Sequence, residues 1–137
     1  MVRKFEAEQH TVRRGPDEWF TGAAWLEELG PAEAPSRLHA YRVTFEPGAR
    51  TAWHSHPVGQ LLHVVSGIGR VQRRGEAPIA IRPGDSIWIA PDEVHWHGAA
   101  QDHPMVHLAL QEADEAGNTA RWFDHVTEAD YQAPAQE

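Results

Sequence analysis

Two histidines separated by a single residue, His54 and His56, are followed by Gln60 and bracketed by Gly48 and Gly67. On a β-strand alternate residues share a face, so both imidazoles point the same way and their nitrogens can converge on one ion. Two imidazoles and an amide make a weak clamp, and the pattern calls for a further ligand. The stretch from Pro83 to Gly98 offers it as His95, just past Pro91-Asp92-Glu93, with His97 two residues on and on the same face if the strand continues. In Met105-Val106-His107-Leu108-Ala109-Leu110-Gln111, the residues Val106, Leu108 and Leu110 alternate with His107, Ala109 and Gln111. If the larger apolar residues pack between sheets, His107 looks into the mouth of a barrel. A histidine beside a metal, but not on it, is a natural proton carrier near neutral pH. For His97 and His107 the alternative is an imidazole hydrogen-bonded in the wall.

The donor set carries its own chemistry. Three neutral imidazoles and a neutral amide leave the whole charge of a divalent ion uncompensated, whereas a carboxylate at position 60 would offset part of it. Such an ion is a strong Lewis acid toward a hydroxyl, a carbonyl or water. Four protein ligands leave open positions on an ion that prefers six, which is a catalytic rather than a closed structural arrangement. Gln60 also reads as a residue that hydrogen-bonds to a ligand without touching the ion.

Positioning these residues requires strands. Residues 38–45 alternate and end at Glu46-Pro47-Gly48, after which short β-like runs recur at 51–54, 60–66, 70–73, 78–81, 86–90, 94–97 and 105–112. Gly- and Pro-containing turns separate them, and such punctuation with little helix points to an all-β sandwich or barrel. Residues 1–15 read as a terminal arm or edge strand, and residues 30–35 as a loop. Residues 17–29 are ambiguous between helix and strand, because Trp19, Ala23 and Leu26 fit a helical face while Trp19-Phe20-Thr21 favours a strand and Gly22 weakens a helix. Near the C-terminus Thr127 is placed to cap one helical turn that sets Tyr131 on the body, with fraying expected after Gln132. Tyr41, Val43 and Phe45 share one strand face and are candidates for an apolar pocket wall. With Gln111 they suit a small, aromatic carbonyl or hydroxyl compound.

Composition narrows the classes. The 137 residues fit one domain, with its core over about 36–112, and the absence of cysteine excludes disulfides and thiolate chemistry. A formal charge of −8, from 20 acidic and 12 basic residues, disfavours nucleic acid as a partner. Arg70, Arg73 and Arg74 read as a solvated cluster at a hairpin turn, and Arg42 and Arg50 as structural ion-pair partners. No stretch has the apolar length of a membrane span, and the N-terminus lacks a secretory pattern, so a cytoplasmic protein is expected. Of the ten histidines, His63 falls opposite Gln60 in parity and suits packing or a subunit contact, while His10, His39, His103 and His125 read as structural. Trp53, Trp88 and Trp96 read as core or interface aromatics.

The motif Gly48-x5-His54-x-His56-x3-Gln60-x6-Gly67, followed by Gly84 and His95, resembles the two motifs of small single-domain cupins. Gln60 stands where that family usually has glutamate, and Ala90 and Asp92 where it usually has proline and glycine. Glu18-Trp19-Phe20-Thr21-Gly22, the run from Phe45 to His54, His95-Trp96-His97-Gly98-Ala99-Ala100 and Asp124-His125-Val126-Thr127 further resemble the manganese-dependent cupin hydroxynitrile lyases. The resemblance implies a cupin double-stranded β-helix, or jelly-roll barrel, with a strand over residues 19–23. It also implies His54, His56, Gln60 and His95 as metal ligands and His97 and His107 as acid/base residues. The cofactor it implies is a divalent metal, manganese first, with iron, nickel, cobalt or zinc also accommodated. The function expected is cleavage or synthesis of α-hydroxynitriles. The alternatives are a metal-dependent dioxygenase on a small aromatic, hydroxyketone or dicarbonyl compound, and a non-catalytic small-molecule binding cupin. A homodimer or homotetramer is the expected assembly.

Overall fold

The computed structural model describes residues 1–30 and 33–137; the loop expected over residues 30–35 lies partly outside them. In chain order the strands are β1 (Val12–Arg14), β2 (Phe20–Thr21), β3 (Ala24–Gly30), β4 (Leu38–Phe45), β5 (Arg50–Thr51), β6 (His54–Ser55), β7 (Gln60–Gly67), β8 (Gly69–Arg73), β9 (Ile79–Ile81), β10 (Ser86–Ile89), β11 (His95–Ala99), β12 (Met105–Glu112) and β13 (Arg121–Trp122). A 3-10 turn, Ala7–Gln9, precedes them and one helical turn, α1 (Glu128–Tyr131), closes the chain. Among the described residues no helix is long and apolar enough to cross a membrane.

The strands form two antiparallel sheets. One runs β1-β3-β4-β12-β7-β10; the other runs β13-β6-β11-β5-β2, with β8 also paired to β11 and β9 to β8. Their inner faces meet in a core that includes Phe20, Val43, Phe45, Leu62, Val64, Val71, Ile81 and Met105. Alternation positions the site: in β7 Gln60, Leu62 and Val64 are buried while Leu61 and Val65 are exposed, and in β12 Met105, His107 and Ala109 are buried. His107 therefore faces inward, but for the opposite reason to that expected, since Val106, Leu108 and Leu110 lie half-buried on the outer face. Opposed residues in antiparallel strands share a face, so Leu26, Val43, His107 and Val64 form one inner row. At His107 the β7 strand carries an extra residue, a bulge that leaves Val65 without an opposite number.

Strand β11 is buried along its whole length because both faces are covered. His95 and His97 look toward the other sheet. Trp96 packs outward into a second cluster with Trp53, Val126 and Tyr131. Gly98 lets β5 approach: a Cβ there would meet Ala49 O at 2.5 Å and Arg50 Cα at 2.6 Å. Thr127 caps α1 by accepting from Asp130 N at 3.2 Å, and Tyr131 donates its hydroxyl to Ala99 O at 2.6 Å. Buried Arg50 binds this segment through Val126 O and Glu128.

Several expectations change. The helix/strand ambiguity over residues 17–29 resolves to strands, but the strand implied over 19–23 is only Phe20–Thr21. Gly22 then turns the chain at φ 77°, and β3 runs on between β1 and β4. The run over 51–54 breaks into β5 and β6, because Ala52 N is taken by Trp19 O and Trp53 N by Asp124 O. The C-terminus does not fray: Gln136 bridges to Ile79 and exchanges hydrogen bonds with Pro78 and Ala80. Arg70 donates to Tyr131 O and lies over its ring, and Arg74 lies 4.7 Å from the Trp53 ring, so only Arg73 of that group pairs at the turn, with Glu76 and Glu93. Arg42 is exposed and makes no ion pair among the described residues. Trp53 and Trp96 are core, whereas Trp88 is 61% exposed.

Candidate metal centre

Of the two histidines of the first pattern, His54 opens β6 and His56 directly follows it, and His95 pairs with His54 across β11 and β6. The turn before β11 closes with Asp92 at φ 64°, its N–H donating to His56 O at 2.9 Å. Aspartate adopts this left-handed conformation more readily than most residues. It thereby fills the position where glycine is usual.

Each of the three histidines is oriented by a backbone carbonyl. His54 Nδ1 lies 2.9 Å from Ala52 O, His56 Nδ1 2.8 Å from Thr119 O, and His95 Nδ1 2.9 Å from Glu93 O. A carbonyl only accepts, so each Nδ1 carries the proton and each Nε2 presents a lone pair. The ring centroids sit 5.0 Å (His54–His56), 4.2 Å (His54–His95) and 5.4 Å (His56–His95) apart. Gln60 completes the group. Its Nε2 donates to Gln111 Oε1 at 3.0 Å, which turns Oε1 toward His95 Nε2, 3.3 Å away. Two lone-pair atoms facing each other in a buried site repel unless a cation lies between them, and His56 Nε2 is buried there without a partner. The residues present fit a divalent metal.

Burial holds these rings neutral, as metal ligands must be. It pushes His95 down to about 3 and His54 well below the usual imidazole range, with His95 and His56 adding to the latter shift. His56 is lowered by the same cause.

His97 is different. One of its ring nitrogens lies within 4.8 Å of one ring nitrogen each of His54 and His95, so these three also form a compact candidate metal group. Yet its Nδ1 faces His107 Nε2 at 2.9 Å, a partner that can donate or accept, and its Nε2 is buried and unpartnered. The tautomer of His97 is thus not preset for ligation as the other three are. Burial, followed by the nearby His107, lowers His97 far below its usual range, and burial pushes His107 down to about 4.

A cavity of about 410 Å³ opens between the sheets over this group. His54, His56, Gln60, His97, Tyr41, Val43, Phe45 and Gln111 line it. His95 and His107 are not among the residues lining it: His95 packs against His54 with ring centroids 4.2 Å apart, and His107, expected at the mouth, contacts His97 instead. Trp19, Phe20, Leu26 and Trp122 also line the cavity, and sequence reasoning did not assign them to it. Trp122 stacks on His54 at 4.5 Å and on Trp19 at 5.0 Å. For Trp19, Phe20 and Trp122 aromatic character was the available signal; Leu26 carried none. The orienting carbonyls of Ala52, Glu93 and Thr119 left none.

Residues 41–110 match the cupin domain family. The chain belongs to the cupin family. It is 49% identical over 118 residues to an (R)-mandelonitrile lyase from Granulicella tundricola, a match spanning 86% of this chain and 89% of that one. A cupin-like protein of solved structure from Thermotoga maritima is 42% identical, with a TM-score of 0.82 over 87% of this chain and 90% of that one. A polyketide cyclase from Streptomyces resistomycificus shares the cupin architecture at 14% identity and a TM-score of 0.74, covering 96% and 92% of the two chains.

Proposed function

We propose that this cupin is a metal-dependent lyase that cleaves small aromatic α-hydroxynitriles into an aldehyde and cyanide, and catalyses the reverse addition. The reading is carried by the cage of inward lone pairs from His54, His56, Gln60 and His95 beside the unpartnered His97 Nε2. The likeness to an (R)-mandelonitrile lyase supports it. When bound, a divalent ion, which we take to be manganese although iron, nickel, cobalt or zinc would find the same donors, supplies Lewis acidity that makes a substrate hydroxyl more acidic.

The apolar wall of Leu26, Val43, Phe45, Trp19 and Trp122 holds the substrate ring and excludes water. His97 Nε2 takes the hydroxyl proton while the carbon–carbon bond to the nitrile breaks, the carbonyl forms and the bonding pair leaves on cyanide. The resulting imidazolium donates from Nδ1 to His107 Nε2. Burial makes this cation unfavourable, which favours return of the proton to cyanide. His107 acts by holding His97.

The test follows benzaldehyde release from mandelonitrile by the metal-loaded protein. His97→Asn should lower kcat by about 100-fold or more with metal content unchanged, and His107→Asn should lower it less. Full activity in His97→Asn would refute the assignment. Substrate-dependent oxygen consumption would point instead to the oxygenase reading.

A further inference from the structure

Gln60 and Gln111 are opposed in register on β7 and β12, and both side chains face the cavity. A primary amide is polar end to end, with an acceptor on one side and donors on the other. Gln60 Nε2 donates to Gln111 Oε1. Gln60 therefore presents Oε1 to the imidazoles, and Gln111, having spent its oxygen on Gln60, is left with its N–H groups. The Gln111 nitrogen makes no hydrogen bond to protein among the described residues, although the residue is half-buried at the cavity wall.

We infer that Gln111 determines specificity: its amide N–H, fixed in direction by Gln60, donates to an acceptor atom of the cavity's ligand, a nitrile nitrogen or a carbonyl oxygen. The inference rests on the lyase reading for its ligand class, but its logic lies in the amide pair. A carboxylate at position 60 has no donor, so it would accept from Gln111 Nε2 and turn Gln111 Oε1 toward the cavity. There the oxygen would repel the same acceptor atoms. The neutral residue at position 60 thus sets the polarity of a neighbour's recognition group as well as the charge of the cage.

The experiment measures two equilibria. Calorimetry gives Mn(II) affinity, and quenching of tryptophan fluorescence gives binding of benzaldehyde and of styrene, which lacks the carbonyl oxygen, to protein saturated with Mn(II). Trp19 and Trp122 report because they line the cavity. Gln111→Glu keeps the acceptor for Gln60 and loses the donor, so it should bind Mn(II) at least as well as wild type within a few-fold. It should bind benzaldehyde about tenfold more weakly with styrene little affected. Gln111→Met loses both functions and should also lose about tenfold in Mn(II) affinity. In a Gln60→Glu background, Gln111→Met should cause no further loss of benzaldehyde binding. Wild-type benzaldehyde affinity in Gln111→Glu, or an undiminished Gln111→Met effect in the Gln60→Glu background, would overturn the inference. Failure of the lyase reading would appear separately, as absence of mandelonitrile turnover by protein that still binds benzaldehyde.

Discussion

Acidification of the metal-free protein should destabilise it, by an amount that follows from its buried histidines. His95 and His107 are held neutral in the fold, with pKa values pushed by burial down to about 3 and about 4, below the ordinary imidazole value of 6.5. Their folded values are depressed, so the unfolded chain binds more protons between those values and 6.5, and stability falls as pH falls. At pH 5 both rings remain almost wholly neutral in the fold, while in the unfolded chain they are almost wholly charged. The loss per ring is then set by the 1.5-unit gap between 6.5 and 5, which is about 2 kcal/mol at 1.36 kcal/mol per unit. The two together remove about 4 kcal/mol between pH 8 and pH 5, a large part of an ordinary domain's stability. Urea titrations of chelator-treated protein at the two pH values should show a much lower midpoint at pH 5 with an unchanged slope. His107→Leu should reduce the pH effect by about 2 kcal/mol, and saturating metal should suppress much of the rest. Equal midpoints at pH 8 and pH 5 would refute the reasoning.

Two further changes test the scaffold. Gly98→Ala would bring a Cβ against the Ala49 carbonyl and the Arg50 backbone, so it should push β5 away from β11 and cost about 1–3 kcal/mol; an unchanged Tm would contradict the close approach. Tyr131→Phe removes the donor to Ala99 O, and the buried carbonyl left unpaired should cost about 1–3 kcal/mol in urea denaturation. A loss well under 1 kcal/mol would show that this contact does little to dock α1.

The part of the site that was legible in the sequence is the part encoded by residue type at short spacing. His54, His56 and Gln60 meet because strand parity and one turn bring them together, and His95 follows from the second turn. Parity also grouped His107, Ala109 and Gln111, but it does not say which face of β12 is inner. The large outward residues Val106, Leu108 and Leu110 made the wrong face look like the core. Other features depend on contacts distant in sequence. Thr119 O orients His56 across 63 positions, and a carbonyl has no residue signature. The order of the C-terminal tail comes from Gln136 pairing beside Ile79, and its composition gives no hint of this.

The most direct test of the lyase account is mandelonitrile cleavage before and after metal removal, with metal content measured on the same samples. Benzaldehyde release should be lost on chelation, return with one equivalent of Mn(II) per chain, and fail to return in His54→Ala. Cleavage that survives complete metal removal, or its absence from fully metal-loaded protein, would contradict the account.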